Sequence, residues 1–249
     1  MELINKGQQP ERLYKINANE SYSRNRIINH KVNNAMRFLP EHWRNRNFSM
    51  IDNPILKTIC EKLEKWDFQN PIISSIISKQ NGIGKSFIAI CLIRKYFTEL
   101  ITKDFDENFT EWSEERDKYA YLDDGTHTTL EYLKSRVNIL NDKKMNLEIQ
   151  ETFSKKNSDR SQLNILDEYC NYRFLVIDDM FSNRTNEFAR QNLLYVIDER
   201  TEFRNLPTFI TSNLTLDEIA DIDTRIADRI NNSMLFQIDK PIESYRKKL

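Results

Sequence analysis

The residues with the clearest chemical potential form the stretch NGIGKSF, residues 81–87. Gly82 and Gly84 can adopt the left-handed backbone conformations that turn amide groups toward an anion. Lys85 supplies a cation that reaches the β- and γ-phosphates of a nucleotide, and Ser86 supplies a hydroxyl for Mg²⁺. The chain has only four glycines, and two of them lie in this stretch. The pattern predicts a phosphate-binding loop at the start of a helix.

Lys79 is the departure from that pattern, because phosphate loops usually open with a glycine at this position. A lysine tolerates ordinary extended backbone, and an added positive charge does not oppose phosphate binding. We interpret Lys79 as a tolerated variation that loosens the loop. Whether the site then hydrolyses nucleotide or only binds it stays open at this point.

Two aspartates end the apolar stretch RFLVIDDM, residues 173–180. Open α/β sheets place their ligands at the carboxyl ends of the strands, which is where these side chains are expected. Asp178 can hold the water shell of a Mg²⁺ ion beside Ser86. Asp179 can orient or activate the water that attacks the terminal phosphate.

Polar residues also end the stretch PTFITSN, at Thr211, Ser212 and Asn213. A side chain at that strand end can hold the attacking water or sense the γ-phosphate. Serine and asparagine are equally common in turns, so the pattern by itself indicates only a polar strand end.

Arginines at helical i, i+4 spacing occur in DTRIADRINNS, as Arg225 and Arg229. Such an arginine either enters the site of a neighbouring subunit and neutralises transition-state charge, or pairs with Asp221 or Asp228 on its own surface. Arg246 near the carboxyl terminus is either part of a site or of a solvated basic tail. The sequence does not choose between these alternatives.

The elements that must position these residues alternate along the chain. Alternation of apolar strands and amphipathic helices predicts a parallel α/β sheet with helices on both faces. Strands are predicted at 72–78, 117–122, 172–180, 206–213 and 234–239, and helices at 32–38, 55–66, 87–101, 128–140, 161–170, 186–203 and from 214 onward. Thr215 and Glu218 have the spacing of a capping box for the last of these helices.

Composition sets further bounds on the 249 residues. Lys and Arg (37) nearly balance Asp and Glu (38), so the net charge gives no steering toward nucleic acid. No apolar run approaches the roughly 20 residues that cross a bilayer, which predicts a cytoplasmic protein without membrane contact. Three scattered cysteines lack disulfide or metal spacing. We divide the chain into an N-terminal extension or linker, 1–50, and a main domain, 51–249, with an acidic insertion at 97–117.

Together these motifs resemble the AAA+ ATPases, and specifically the bacterial and phage replicative-helicase loader family of the DnaC/DnaI type, with its IstB-like transposition relative. The resemblance covers residues 36 to 249. NGIGKS resembles that family's Walker A motif, LVIDDM its Walker B motif and LPTFITSNLTLDEI its sensor 1 strand and following helix. RIADRI resembles the box that carries an arginine finger, and IESYRKK a sensor 2-like segment. The resemblance implies a P-loop NTPase (AAA+) fold without a full C-terminal lid.

The resemblance also implies roles for individual residues. Mg²⁺ would be held by Ser86 and Asp178, and Asp179 would be the base. Asn213 is implied as sensor 1, Arg229 as the finger acting in trans, and Arg246 as the sensor 2-like arginine, whereas Arg225 stays open as an alternative finger. The implied nucleotide-binding residues are Asn81, Gly82, Ile83, Gly84, Lys85, Ser86, Phe87 and Arg246.

The implied function is that of an ATP- and Mg²⁺-dependent ATPase that loads a hexameric replicative DNA helicase onto single-stranded DNA during replication initiation. Turnover is expected to be slow and to be stimulated by DNA or by self-association through the ATP site. The N-terminal extension, which carries Tyr14, Tyr22, Met36, Phe38 and Trp43 among basic residues, is the candidate helicase-binding segment, although these side chains could equally pack on the core. Two alternatives stay open: an IstB-like transposition helper ATPase, and a non-hydrolysing nucleotide-dependent adaptor or inhibitor of the helicase.

Overall fold

The computed structural model describes residues 18–107, 136–154, 161–182 and 186–243. Their centre is a sheet of five parallel strands in the order β2-β3-β4-β1-β5. The strands are β1 (Ile73–Ile77), β2 (Val137–Leu140), β3 (Phe174–Met180), β4 (Thr208–Ser212) and β5 (Met234–Gln237). Because β3, β4 and β1 are neighbouring parallel strands, their carboxyl ends meet at one edge of the sheet, and this arrangement positions the candidate site.

Helices cover both faces of the sheet. The α-helices are α1 (Ala18–Ala35), α2 (Glu41–Arg44), α3 (Pro54–Glu64), α4 (Lys85–Glu107), α5 (Asp142–Ser154), α6 (Gln162–Asn171), α7 (Glu187–Asp198), α8 (Leu216–Ile222) and α9 (Thr224–Asn231). Short 3₁₀ turns occur at Met36–Phe38 and Phe48–Met50, and a π-helical turn, Glu199–Phe203, continues α7. The predicted parallel α/β sheet with flanking helices is confirmed.

The core lies in two layers, one on each face of the sheet. Successive residues of a strand point to opposite faces, so Phe174 and Val176 of β3 enter one layer and Leu175 and Ile177 enter the other. All four side chains are fully buried. Such near-continuous apolar runs are typical of parallel strands covered on both faces.

The N-terminal residues contribute to the first layer. Val32, Ala35 and Met36 are buried there, and α1 packs along α4. Arg94 of α4 donates hydrogen bonds to the backbone oxygens of Arg44 and Arg46, which fixes the segment after α1. The described part of the extension is thus packed on the main domain, so the boundary at residue 50 and the helicase-binding role of 1–50 stay predictions.

The helix predicted at 128–140 is wrong at its carboxyl end, where residues 137–140 form the edge strand β2 beside β3. A mainly apolar segment of four residues is compatible with a strand and with a helix, and only its pairing with β3 shows that it is a strand. Residues 128–135 and the strand predicted at 117–122 lie outside the described residues. α5 was not predicted, and α4 continues to Glu107, so the first part of the acidic insertion at 97–117 is helical.

The capping box predicted at the start of α8 is confirmed. The Thr215 hydroxyl accepts a hydrogen bond from the Glu218 amide, and the Glu218 carboxylate accepts one from the Thr215 amide at 2.9 Å. α8 begins at Leu216, soon after β4 ends at Ser212, and an ion pair between Glu218 and Lys79 joins its first turn to the loop after β1. No helix in the described part of the chain is both long and apolar enough to cross a membrane.

Candidate functional site

A cavity of about 350 Å³ opens where the strands end. Its walls come from the loop after β1 and the start of α4, from the ends of β2, β3 and β4, and from α2 and the segment that follows it. Of the residues predicted to act here, Asn81, Gly82, Gly84, Lys85, Ser86, Phe87, Asp178, Asp179 and Asn213 all line this cavity. Ile83 does not, because its side chain is fully buried in the first core layer.

The loop before α4 has the backbone that the two glycines predicted. Gly82 has φ of 75° and Gly84 has φ of 105°, both in the range that non-glycine residues avoid. Lys85 begins α4, and its buried ammonium group donates hydrogen bonds to the backbone oxygens of Ser78 (3.1 Å) and Gln80 (3.0 Å). The lysine is thereby held inside the loop by neutral acceptors, which a phosphate can replace with charged ones.

Ser86 and Asp178 are adjacent across the cavity. The Ser86 hydroxyl donates to Asp178 Oδ1 at 3.0 Å. Burial raises the pKa of the Asp178 carboxyl above its ordinary value, and hydrogen bonds from Thr211 and Ser86 oppose that rise. One hydroxyl and one carboxylate are the hard oxygen donors that Mg²⁺ prefers when substrate phosphates complete its shell. Within the described ranges no group of three or more His, Cys, Asp or Glu residues could hold a metal ion alone.

Asp179 and Asn213 also meet, since Asn213 Nδ2 donates to Asp179 Oδ1. Asp179 has φ of 58°, in the left-handed region, and its amide donates to the Thr211 hydroxyl at 2.8 Å. The strand-end aspartate and the strand-end asparagine therefore form one polar cluster beside Ser86 and Asp178. A cluster of this kind can hold a water molecule at the end of a bound phosphate chain.

Lys79 has an observable role in the structure. Its ammonium group forms an ion pair with Glu218 at 2.8 Å, and it is not among the residues that line the cavity. The hydrogen bond from Lys79, and then that from the Thr215 amide, lower the pKa of the Glu218 carboxyl. Lys79 is not one of the described positive-φ residues. Position 79 therefore does not require glycine, and its side chain joins the start of the loop to α8.

Neither candidate finger faces the cavity of its own chain. Arg229 donates from Nε to Asp198 at 3.1 Å and from a terminal nitrogen to Glu202. Arg225 pairs with Asp223 at 2.9 Å. The structure thus pairs both arginines within the chain, but with acids other than the two expected. Arg246 lies outside the described residues.

Four lining residues were not predicted from the sequence: Trp43, Arg46, Ile90 and Asn141; Thr211, two residues before Asn213, lines the cavity as well. The Arg46 guanidinium lies over the Phe87 ring, 5.1 Å from its centroid. Asn141 follows the end of β2, and its side chain accepts the amides of Lys143 and Lys144 at the start of α5. Asn141 could have been predicted as a polar residue directly after an apolar strand. It was missed because residues 137–140 were predicted as the end of a helix and not as a strand.

No protein-family model matches the sequence, and no curated protein sequence is detectably similar to it. Solved structures do match. The DnaC helicase loader superposes with a TM-score of 0.52 and 17% identity, over 80% of this chain and 100% of that chain. A protein from Streptococcus pyogenes serotype M3, described as a primosome component, matches with a TM-score of 0.50 and 17% identity, over 81% and 90%.

DnaA from Aquifex aeolicus, solved with AMPPCP, matches with a TM-score of 0.52 and 12% identity, over 81% of this chain. The match covers 52% of that protein, so this chain spans about half its length. At these identities the likeness shows the fold. The chain has the AAA+ P-loop NTPase fold that its motifs predicted, and its predicted resemblance to the DnaC-type helicase loader is confirmed at the level of the fold.

Proposed function

We propose that this chain is an ATPase that loads a hexameric replicative helicase onto single-stranded DNA, in a bacterium or a phage. The observation that supports it best is the meeting of three predicted parts in one cavity: the loop with Lys85, the Ser86–Asp178 pair and the Asp179–Asn213 pair. The fold shared with the DnaC helicase loader supports the direction of the proposal.

ATP binding begins with Lys85. Its ammonium group leaves the backbone oxygens of Ser78 and Gln80 and turns to the β- and γ-phosphates, which are stronger acceptors because they are charged. The loop amides around Gly82 and Gly84 and the start of α4 add further positive potential. When bound between Ser86 and Asp178, Mg²⁺ would neutralise phosphate charge and orient the phosphate chain.

We assign the base and ribose of the nucleotide to the remaining wall of the cavity. Trp43, Arg46 and Phe87 line that wall, and the guanidinium of Arg46 already stacks on Phe87. Aromatic and guanidinium planes are suited to a purine base and its ribose. This assignment gives the segment after α1 a role in nucleotide binding as well as in the core.

Hydrolysis is assigned to the ends of β3 and β4. Asp179 accepts a proton from the attacking water or orients it, while Asn213 holds that water or the γ-phosphate. The hydrogen bond between the two side chains sets their separation before nucleotide arrives. Asp178 stays with Ser86 and takes no part in proton transfer.

Arg229 is proposed to act on the site of a neighbouring subunit. It must first leave Asp198 and Glu202, so an isolated subunit holds its own arginine away from any phosphate. Arginines of this kind contribute on the order of 10³-fold or more to turnover. Slow turnover by separate subunits, accelerated by assembly on DNA, follows from these two facts.

A non-hydrolysing, nucleotide-dependent adaptor of the helicase is the second candidate function. The ion pairs of Arg229 favour it, and in the described part of the chain Arg46, beside Phe87, is the only arginine that lines the cavity. An adaptor would bind ATP tightly and change its helicase contact without turnover.

The test is delivery of a purified hexameric replicative helicase onto circular single-stranded DNA, read as unwinding of an annealed oligonucleotide. A circle excludes threading over a free end, so unwinding reports loading. The proposal predicts ATP-dependent stimulation by the full chain, loss with Arg229→Ala and little change with the matched Arg225→Ala. A wild-type chain that binds the helicase yet does not stimulate unwinding would contradict loading and favour the adaptor.

A further inference from the structure

The pairing of β3 with β4 is irregular at the aspartates. Ile177 pairs with Ile210, and the next pair along the two strands is Met180 with Ser212. Three steps along β3 therefore match two steps along β4. Asp178 and Asp179 together lie opposite a single residue, Thr211, as in a β-bulge.

This irregularity allows both aspartates to serve one site. In a regular strand, consecutive side chains point to opposite faces, so one of the two would be directed away from the cavity. Here Asp178 and Asp179 both line the cavity. The backbone turns at Asp179, whose φ of 58° lies in the left-handed region. This conformation costs a non-glycine residue free energy, so surrounding contacts must stabilise it.

Thr211 supplies contacts to both residues. The residue is buried, with 1% of its surface exposed. The hydroxyl donates a hydrogen bond to Asp178 Oδ1 at 2.7 Å and accepts one from the Asp179 amide at 2.8 Å. A single hydroxyl thus fixes the direction of one carboxylate and the backbone of the next residue.

The neighbouring residue of β4 supports the same turn. The Ser212 hydroxyl donates to the Met180 oxygen at 2.8 Å and accepts the Leu214 amide at 3.2 Å. The irregular stretch of β3 is therefore held on both sides by hydroxyls of β4. Of the two, only the Thr211 hydroxyl touches a residue assigned to Mg²⁺.

We propose that Thr211 is a positioning residue whose hydroxyl holds the β3 irregularity, so that Asp178 faces the Mg²⁺ position while Asp179 faces the terminal phosphate. The inference rests on the proposed nucleotide site and goes beyond it, because the role at this strand end was assigned to Asn213, which follows β4. Without this hydroxyl the Asp179 amide loses its partner, and within the described residues Ser86 is then the one hydroxyl that still donates to Asp178.

The experiment compares Thr211→Val, Thr211→Ala and Thr211→Ser in the full chain. The affinity for the non-hydrolysable analogue AMPPCP is measured with excess Mg²⁺ and with EDTA, and the ratio of the two affinities is the readout. Thr208→Val is the matched control, since it removes a buried hydroxyl from the other end of the same strand. Thermal unfolding of each variant identifies those that fold.

The wild type should bind AMPPCP more tightly with Mg²⁺. Thr211→Val should lose most of that tightening, a fall of about tenfold or more, as when outer partners of metal ligands are removed. Its affinity in EDTA should change little, because Lys85 and its loop are untouched. Thr211→Ser should recover most of the ratio, and Thr211→Ala should lie between, because a water molecule can occupy the vacated space.

The role of Thr211 would be overturned by a normal ratio in both Thr211→Val and Thr211→Ala, or by a ratio in Thr211→Ser as low as in Thr211→Ala. An equal fall in Thr208→Val would also overturn it, since that fall would come from loosened packing. If Thr211→Val does not fold, the alanine and serine variants decide. A wild-type chain that binds no AMPPCP would instead overturn the proposed nucleotide site itself.

Discussion

The two ends of the β3–β4 pair both bury polar groups, and they do so differently. At the start of β4, Arg200 is fully buried and donates to the Thr208 hydroxyl at 2.9 Å and to four backbone oxygens: Tyr169, Cys170, Tyr172 and Pro207. At the end of β4, Thr211 contacts two aspartates whose carboxylates accept further hydrogen bonds from the side chains of Ser86 and Asn213.

The difference lies in which bonds a ligand can replace. Arg200 is bound by backbone oxygens that the fold itself fixes, including two at the carboxyl end of α6. Burial lowers the pKa of Arg200 to about 9, so its guanidinium is still charged at neutral pH. The aspartate cluster is instead bound by a serine, a threonine and an asparagine beside an open cavity, where phosphate or metal can exchange with them. We therefore expect polar burial at one end to stabilise the fold and, at the other end, to prepare the proposed nucleotide site.

The largest expected effect is a loss of stability when Arg200, at the start of β4, is replaced. Arg200→Met should lower the free energy of unfolding by about 3–5 kcal/mol, because buried acceptors then lose a charged donor. Thermal and urea unfolding measure this change. Arg204→Met is the matched control, since Arg204 pairs with Asp167 and Glu199 near the surface and should cost under about 1 kcal/mol. Equal effects of the two substitutions would contradict the comparison.

The second largest effect is expected on Mg²⁺-dependent nucleotide binding, when Asp178 at the end of β3 is replaced. Asp178→Asn should leave stability unchanged or slightly raised at pH 7, because burial disfavours the charged carboxylate whose pKa it raises, and the amide oxygen still accepts from Ser86 and Thr211. It should nevertheless reduce the Mg²⁺-dependent tightening of AMPPCP binding by about tenfold or more. Unfolding and binding curves on one preparation check both parts. A stability loss comparable to that of Arg200→Met would contradict the assignment.

The smallest effect is expected where the loop meets α8. Lys79 and Glu218 form an exposed ion pair, and such pairs contribute little. Lys79→Ala, Glu218→Gln and the double variant should each change AMPPCP affinity by about fivefold or less. Lys79→Gly restores the usual loop residue and should not tighten binding, because position 79 does not use a left-handed backbone. A large gain of affinity with glycine would show that Lys79 does weaken the site.

Much of this fold was predictable from local patterns. The loop glycines, the paired aspartates and the capping box of α8 are each read from a few neighbouring residues, and the structure contains the predicted local geometry. The exceptions depend on distant partners. β2 is a short apolar run that becomes a strand only beside β3, and Arg200 lay in a predicted helix with no sign that it would be buried.

The same distinction between local patterns and distant partners applies to the residues of the candidate site. Residues adjacent in sequence to a motif were predicted, whereas Trp43 and Arg46 reach the cavity through the packing of the segment after α1, which Arg94 holds. The double contact of Thr211 depends on a register shift between two strands, and a single sequence carries no signal for such a shift. Those long-range features are the ones that only coordinates supply.

The most direct test of the central claim is ATP turnover by the purified full chain beside Lys85→Ala and Asp179→Asn. It is measured over a range of protein concentration, with and without single-stranded DNA. We expect turnover that rises with protein concentration and with DNA and is lost in both variants, whereas Asp179→Asn should still bind ATP. Turnover by Lys85→Ala at the rate of the wild type would contradict the proposed nucleotide site. ATP binding by the wild type without any turnover would contradict the proposed ATPase activity and would favour the non-hydrolysing adaptor.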